Sequence, residues 1–64
     1  MLMPREFEIL NLVFEGLSFT QISRKLNITD DEVKKYYKQL LKKFEARNSV
    51  ELVRKALEDS WLKL

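Results

Sequence analysis

The chain has 64 residues, 45% hydrophobic and 34% charged, with 12 Lys and Arg against 10 Asp and Glu for a net charge of +2. Such a length makes one small domain, spanning 1–64, which buries only about 60% of the surface its unfolded form exposes. There is no cysteine, no histidine and a single glycine, Gly16, which excludes disulfides, thiolate or imidazole catalysis, the usual zinc ligands and any glycine-rich phosphate loop.

Pro4 suits the first turn of a helix over about 4–15, where its missing N–H costs nothing. Ile9, Leu10, Val13 and Phe14 recur there at helical spacing, and Leu17 follows Gly16, a residue suited to a left-handed helix end. A short second helix over 19–26 starts from a capping box of Ser18 and Gln21 and offers Ile22 and Leu26. Asn27, Ile28 and Thr29 leave room only for a tight turn. Asn27 tolerates positive φ, and Ile28 plugs the angle between helices. A third helix over about 30–45 starts from the box Thr29–Glu32, and a fourth over about 49–62 from the box Asn48–Glu51. No stretch alternates as a strand would. The expected fold is all-α, a four-helix domain containing a helix-turn-helix.

Charge divides along the chain. Residues 1–32 hold three basic and six acidic residues, net −3, whereas residues 33–64 hold nine and four, net +5. Six of the nine basic residues lie between Lys34 and Arg47. At about 100° per residue, Val33, Tyr37, Leu40 and Phe44 form one stripe of the third helix. Lys34, Lys35, Lys38 and Lys42 fall opposite, with Gln39 on a flank. Such a face serves a polyanion, or simply keeps the helix solvated. In the groove of DNA, Lys donates to guanine and Gln pairs with adenine. The fourth helix carries two apolar faces, Leu52 with Ala56 and a heptad-like stripe of Val50, Val53, Leu57, Trp61 and Leu64. The second face fits a symmetric dimer interface, which would also include Arg54; its alternative is Trp61 folding back onto its own core.

Read together, Pro4-Arg5-Glu6, Ile9-Leu10, Gly16-Leu17-Ser18, Ile22, Leu26, Ile28-Thr29, Val33-Lys34, Leu40-Leu41, Lys43-Phe44, Arg47-Asn48 and Val50-Glu51-Leu52-Val53 carry a resemblance. The chain resembles the LuxR-type (GerE/NarL) helix-turn-helix domain, without a gap from about Leu2 to Leu57. The resemblance implies a bacterial DNA-binding domain whose third helix is the recognition helix and whose fourth is the dimerisation helix. By the same resemblance Lys34, Lys35 and Lys38 reach bases, and Ser18, Thr20, Gln21 and Thr29 hold phosphates, with Lys42 and Lys43 further phosphate candidates by position. Several positions depart from the family pattern. Met3 replaces the capping Ser or Thr before the proline, a loss of about 1 kcal/mol. Glu32 stands for a Thr that meets the backbone, and with Asp30 and Asp31 it puts carboxylates where phosphate would be repelled. Their structural alternative is the helix dipole and the capping box, and Glu can also accept from cytosine N4. Asn27 replaces the usual Gly, Tyr36 the usual His, Ser49 the usual Arg, and Phe19 a polar residue.

The expected function is sequence-specific DNA binding in transcription regulation, by a homodimer on an inverted or direct repeat. The competing expectation is a protein-interaction module that keeps the fold and binds a partner protein in place of DNA, motivated by the acidic 30–32 cluster and by Phe19 and Trp61. Expected partners are double-stranded DNA, a second copy, and RNA polymerase or a separate regulatory domain or protein. No enzyme activity, catalytic residue, metal or cofactor is expected, since a domain this small has no room for a substrate pocket. No apolar run approaches a membrane span or a signal-peptide core, so no membrane partner is expected and the location is cytoplasmic, nucleoid-associated when bound.

Overall fold

A computed structural model describes residues 2–64. The helices are α1 (Pro4–Phe14), α2 (Phe19–Leu26), α3 (Asp30–Phe44) and α4 (Ser49–Glu58). The fold is all-α, and no strand occurs among the described residues.

Each helix begins where the sequence places a cap, with two differences. Ser18 and Thr29 each accept from the amide three residues on, and Gln21 and Glu32 reach back to complete both boxes. At α4 only half of the expected box forms: Asn48 accepts from the Glu51 amide, but the Glu51 carboxylate passes Asn48 and takes the amide of Arg47 at 2.8 Å, with the Arg47 guanidinium on its other oxygen. At α1, Met3 supplies no side-chain cap, yet Glu6 Oε1 accepts from the Met3 amide at 2.8 Å, so one orphan donor is satisfied from inside the helix.

All four helices end in one way. A left-handed residue closes each: Gly16 (φ 90°), Asn27 (57°), Glu45 (53°) and Ser60 (63°). The next residue, Leu17, Ile28, Ala46 or Trp61, sends its amide five residues back to Leu12, Ser23, Leu41 or Ala56. This is the Schellman closure, which satisfies the last carbonyls and turns an apolar residue over the helix end. Gly16 and Asn27 are the residues expected to do this; Glu45 and Ser60 carry no such signal.

The closure at Ser60 corrects the expected extent of the last helix. Helix α4 stops at Glu58, four residues before 62, so Trp61 and Leu64 leave the heptad-like stripe. Trp61 turns back onto Phe7, ring centroids 6.3 Å apart and tilted by 59°, while Leu62 enters the core at 4% exposure.

The core consists of Ile9, Leu10, Leu12, Ile22, Val33, Leu40, Leu52, Ala56 and Leu62. Helix α3 packs against all three others, so its orientation depends on the whole domain. The expected α1 stripe is shifted by the burial of Leu12, with Val13 and Phe14 only half-buried. Leu52 and Ala56 are fully buried, whereas Val50 is 77% exposed.

Among the described residues, one charged side chain is buried. Glu6 has no solvent exposure, and Lys43 Nζ lies 2.6 Å from its Oε1. Burial alone would push the Glu6 carboxyl up; the Lys43 ammonium and the Met3 amide outweigh it and hold the carboxyl below its ordinary value. The pair ties α1 to the last turn of α3.

Candidate nucleic-acid interface

Val33 and Leu40 are fully buried, and they anchor one side of α3. Tyr37 continues that side, half-buried, its ring 4.9 Å from that of Phe19 at the start of α2. The opposite side is thereby fixed outward. Lys34, Lys35, Lys38 and Lys42 are all exposed there, and among the described residues none of their four ammonium groups joins an ion pair. Tyr36 is half-buried and packs against the core, as its edge position suggests.

The polar residues expected at phosphates lie at two helix starts. Ser18 caps α2, Thr20 and Gln21 occupy its first turn, Thr29 caps α3, and all four are exposed. The two starts are adjacent, because Thr20 Oγ1 donates to Asp30 Oδ2 across 3.4 Å. The Gln21 carbonyl is occupied by the Ser18 amide, which leaves its NH2 group to donate outward. The Thr29 hydroxyl accepts from the Glu32 amide and donates to Glu32 Oε1 at 3.2 Å, so its proton is already committed. Helix starts of this kind expose amides and a positive dipole end to anions.

Lys43 differs from the others. It is the one phosphate candidate whose ammonium is engaged in an ion pair, held at the rim of the core by buried Glu6. A sequence pattern gives no sign of this, since its partner lies 37 residues away.

The acidic cluster also sorts into separate tasks. Asp30 accepts from the hydroxyl of buried Ser23 as well as from Thr20, and so latches the start of α3 onto α2. Glu32 is spent on Thr29: the backbone amide first, then the hydroxyl, hold its carboxyl below the ordinary value. Asp31 has no hydrogen bond or ion pair with the described residues and is exposed. The Asp30 latch is a role that sequence reading missed; Ser23 at the buried edge of a short helix was the available hint.

On the far side, the residues expected at a dimer interface form a shallow apolar surface. Val50 is the most exposed, Val53 and Leu57 are half-buried, and Arg54 is exposed. Val13, Ser49, Val50 and Val53 line a groove of about 310 Å³. Trp61 lies apart from it, on Phe7. No helix among the described residues is long and apolar enough to cross a membrane.

The family model of bacterial regulatory proteins, luxR family, matches residues 1–56. Among individual proteins, the chain is 49% identical over 57 residues to a probable transcriptional regulator, ycf29, of Cyanophora paradoxa, covering 89% of this chain and 27% of that protein. It is 44% identical over 50 residues to the nitrate/nitrite response regulator protein NarL of Escherichia coli K12, covering 78% and 23%. It is 34% identical over 62 residues to the transcriptional regulatory protein DesR of Bacillus subtilis strain 168, covering 97% and 31%. The chain thus spans less than a third of the length of these relatives. No solved structure matches it significantly.

Proposed function

The chain belongs to the luxR family of bacterial regulatory proteins, and on that premise we propose that residues 1–64 form one unit that regulates transcription by laying α3 in the major groove of double-stranded DNA. The observation that carries this reading is the outward stripe of α3, where four lysines hold ammonium groups without ion-pair partners among the described residues. A cationic stripe opposite one that packs on the core gives the helix a defined side to present to a polyanion.

Roles follow from position. Lys34 and Lys35 lie in the N-terminal half of α3, the part that meets base edges in such docking, and Lys38 lies just past its midpoint, one turn from Lys34. Lys42, one turn on, and Ser18, Thr20, Gln21 and Thr29, at the two helix starts, are assigned to phosphates. Lys43 is left out of that set, because Glu6 holds its ammonium. Two copies pair through Val50, Val53, Arg54 and Leu57 of α4 and set two α3 helices about one turn of DNA apart, on an inverted or direct repeat.

The test is a titration of duplex DNA with the chain across a salt series. Affinity is expected to fall with a log–log slope of about −0.9 per phosphate contact. Binding that ignored salt, or no binding at all, would reject this reading in favour of a module that grips another protein.

A further inference from the structure

We propose that the half-site read by this chain is rich in guanine along the strand facing α3, and that Asp31 selects a cytosine beside those guanines. The inference rests on the major-groove reading above and deepens it by naming the bases.

The structure separates the three acids that open α3. Asp30 is bonded to Ser23 and Thr20, and Glu32 to Thr29. All three are exposed, but Asp31 alone has no hydrogen-bond or ion-pair partner among the described residues. Positions 31, 34, 35 and 38 are separated by threes and fours, so they share one face of the helix. All four are exposed, and no ion pair ties Asp31 to Lys34 or Lys35. The face therefore presents three donor groups and, ahead of them in the first turn, one acceptor.

Hydrogen-bond chemistry then restricts the bases. An ammonium group only donates. In the major groove guanine presents two acceptors, N7 and O6, with no donor or methyl group between them. Adenine sets its N6 donor beside N7, thymine sets a methyl beside O4, and cytosine offers only a donor. Three neighbouring lysines thus find their best match in guanines. A carboxylate only accepts, and the cytosine N4 amino group is the donor that guanine's own pairing partner supplies. The lysines three and four residues on offset the repulsion between Asp31 and the DNA backbone. Gln39, the side chain suited to adenine, is half-buried on the flank.

The experiment is a selection from a random duplex pool at about 0.1 M salt, run with the full chain and with Asp31→Ala and Asp31→Asn. The unaltered chain is expected to enrich half-sites holding two or more guanines on one strand. Asp31→Ala should lose about tenfold of preference at one G·C position and keep the rest. Asp31→Asn should move that position toward A·T, because Asn pairs with adenine N6 and N7. Replacing the guanines of the enriched duplex by 7-deazaguanine, which lacks the N7 acceptor, should weaken binding by the unaltered chain; this arm needs no variant to fold. An A·T-rich consensus, indifference to 7-deazaguanine, or an Asp31→Ala variant that tightens on every duplex equally would overturn the inference while leaving DNA binding in place. Retention of no duplex would overturn the major-groove reading and this inference with it.

Discussion

Lys43 Nζ reaches Glu6 Oε1 at 2.6 Å, and that carboxylate has no exposure of its own. Its other oxygen, Oε2, has no hydrogen-bond partner among the described residues. The Lys43 side chain is 39% exposed, so the pair is a buried acid answered by a cation at the rim. Removing the cation leaves the acid uncompensated, which is costlier than losing the pair outright. Lys43→Met should therefore destabilise the domain by about 2–3 kcal/mol, below the range for fully buried pairs because the Lys43 side chain is partly solvated. Urea unfolding at neutral pH measures it; a loss under 0.5 kcal/mol would mean the pair contributes little.

The same pair sets a pH dependence. The Glu6 carboxyl is held low in the folded state, against its burial, by Lys43 and Met3; Glu32 is held low by Thr29, and Glu51 by the Arg47 guanidinium and amide. A carboxyl whose folded pKa is depressed contributes stability in full above its ordinary value of 4.5 and loses it as pH falls through the folded value. The domain should lose stability below about pH 4.5. In Lys43→Met the ammonium that opposes burial is gone, and a protonated Glu6 no longer needs the cation. The stability gap between the two proteins should thus narrow from pH 6 to pH 3, and parallel curves would contradict this account.

Glu45 and Ser60 hold left-handed conformations without being glycine or asparagine. An L-residue with Cβ pays about 1–2 kcal/mol there. Glu45→Gly and Ser60→Gly should each stabilise the domain by about 0.5–1 kcal/mol, the remainder being lost to the freer unfolded chain. Thermal unfolding of the single and double variants checks this, and the two gains should add, since each closes a different helix.

Much of the fold was legible because its signals are local. Ser18, Thr29 and Asn48 mark helix starts by residue type, and Gly16 and Asn27 mark two helix ends. What escaped the sequence depended on partners elsewhere. Glu6 reads as an ordinary first-turn acid until α3 brings Lys43 to it. The last helix looked four residues longer because Trp61 continues an apolar period, and only packing on Phe7 and burial of Leu62 favour the turn at Ser60. In the candidate site, the outward lysines follow from helical period alone. The division of labour among Asp30, Asp31 and Glu32 does not, because Asp30 is claimed by Ser23 from another helix.

The division of lysines into base and phosphate roles has a distinct signature. Lys34→Ala and Lys38→Ala should relax preference among duplex sequences. Lys42→Ala should weaken all of them alike and reduce the salt slope by about 1. Competition binding with several duplexes decides it, and an equal loss on every sequence for all three variants would reject the division.

Pairing through α4 is tested at Val50, which is 77% exposed and thus open to replacement without disturbing the core. Val50→Glu should leave the helical content and unfolding midpoint nearly unchanged while shifting sedimentation on operator DNA from two bound copies toward one. Undiminished double occupancy would exclude this face.

The early stop at Ser60 has a quantitative consequence for control. Ten residues of α4 extend about 15 Å, and two such rods side by side cover far less than the 1,200 Å² or so of a durable interface. Copies that pair through α4 would then remain separate in free solution and come together only where DNA holds both. Occupancy would rise with the square of their concentration, so a modest change in supply, or any tether between two copies, would act as a threshold.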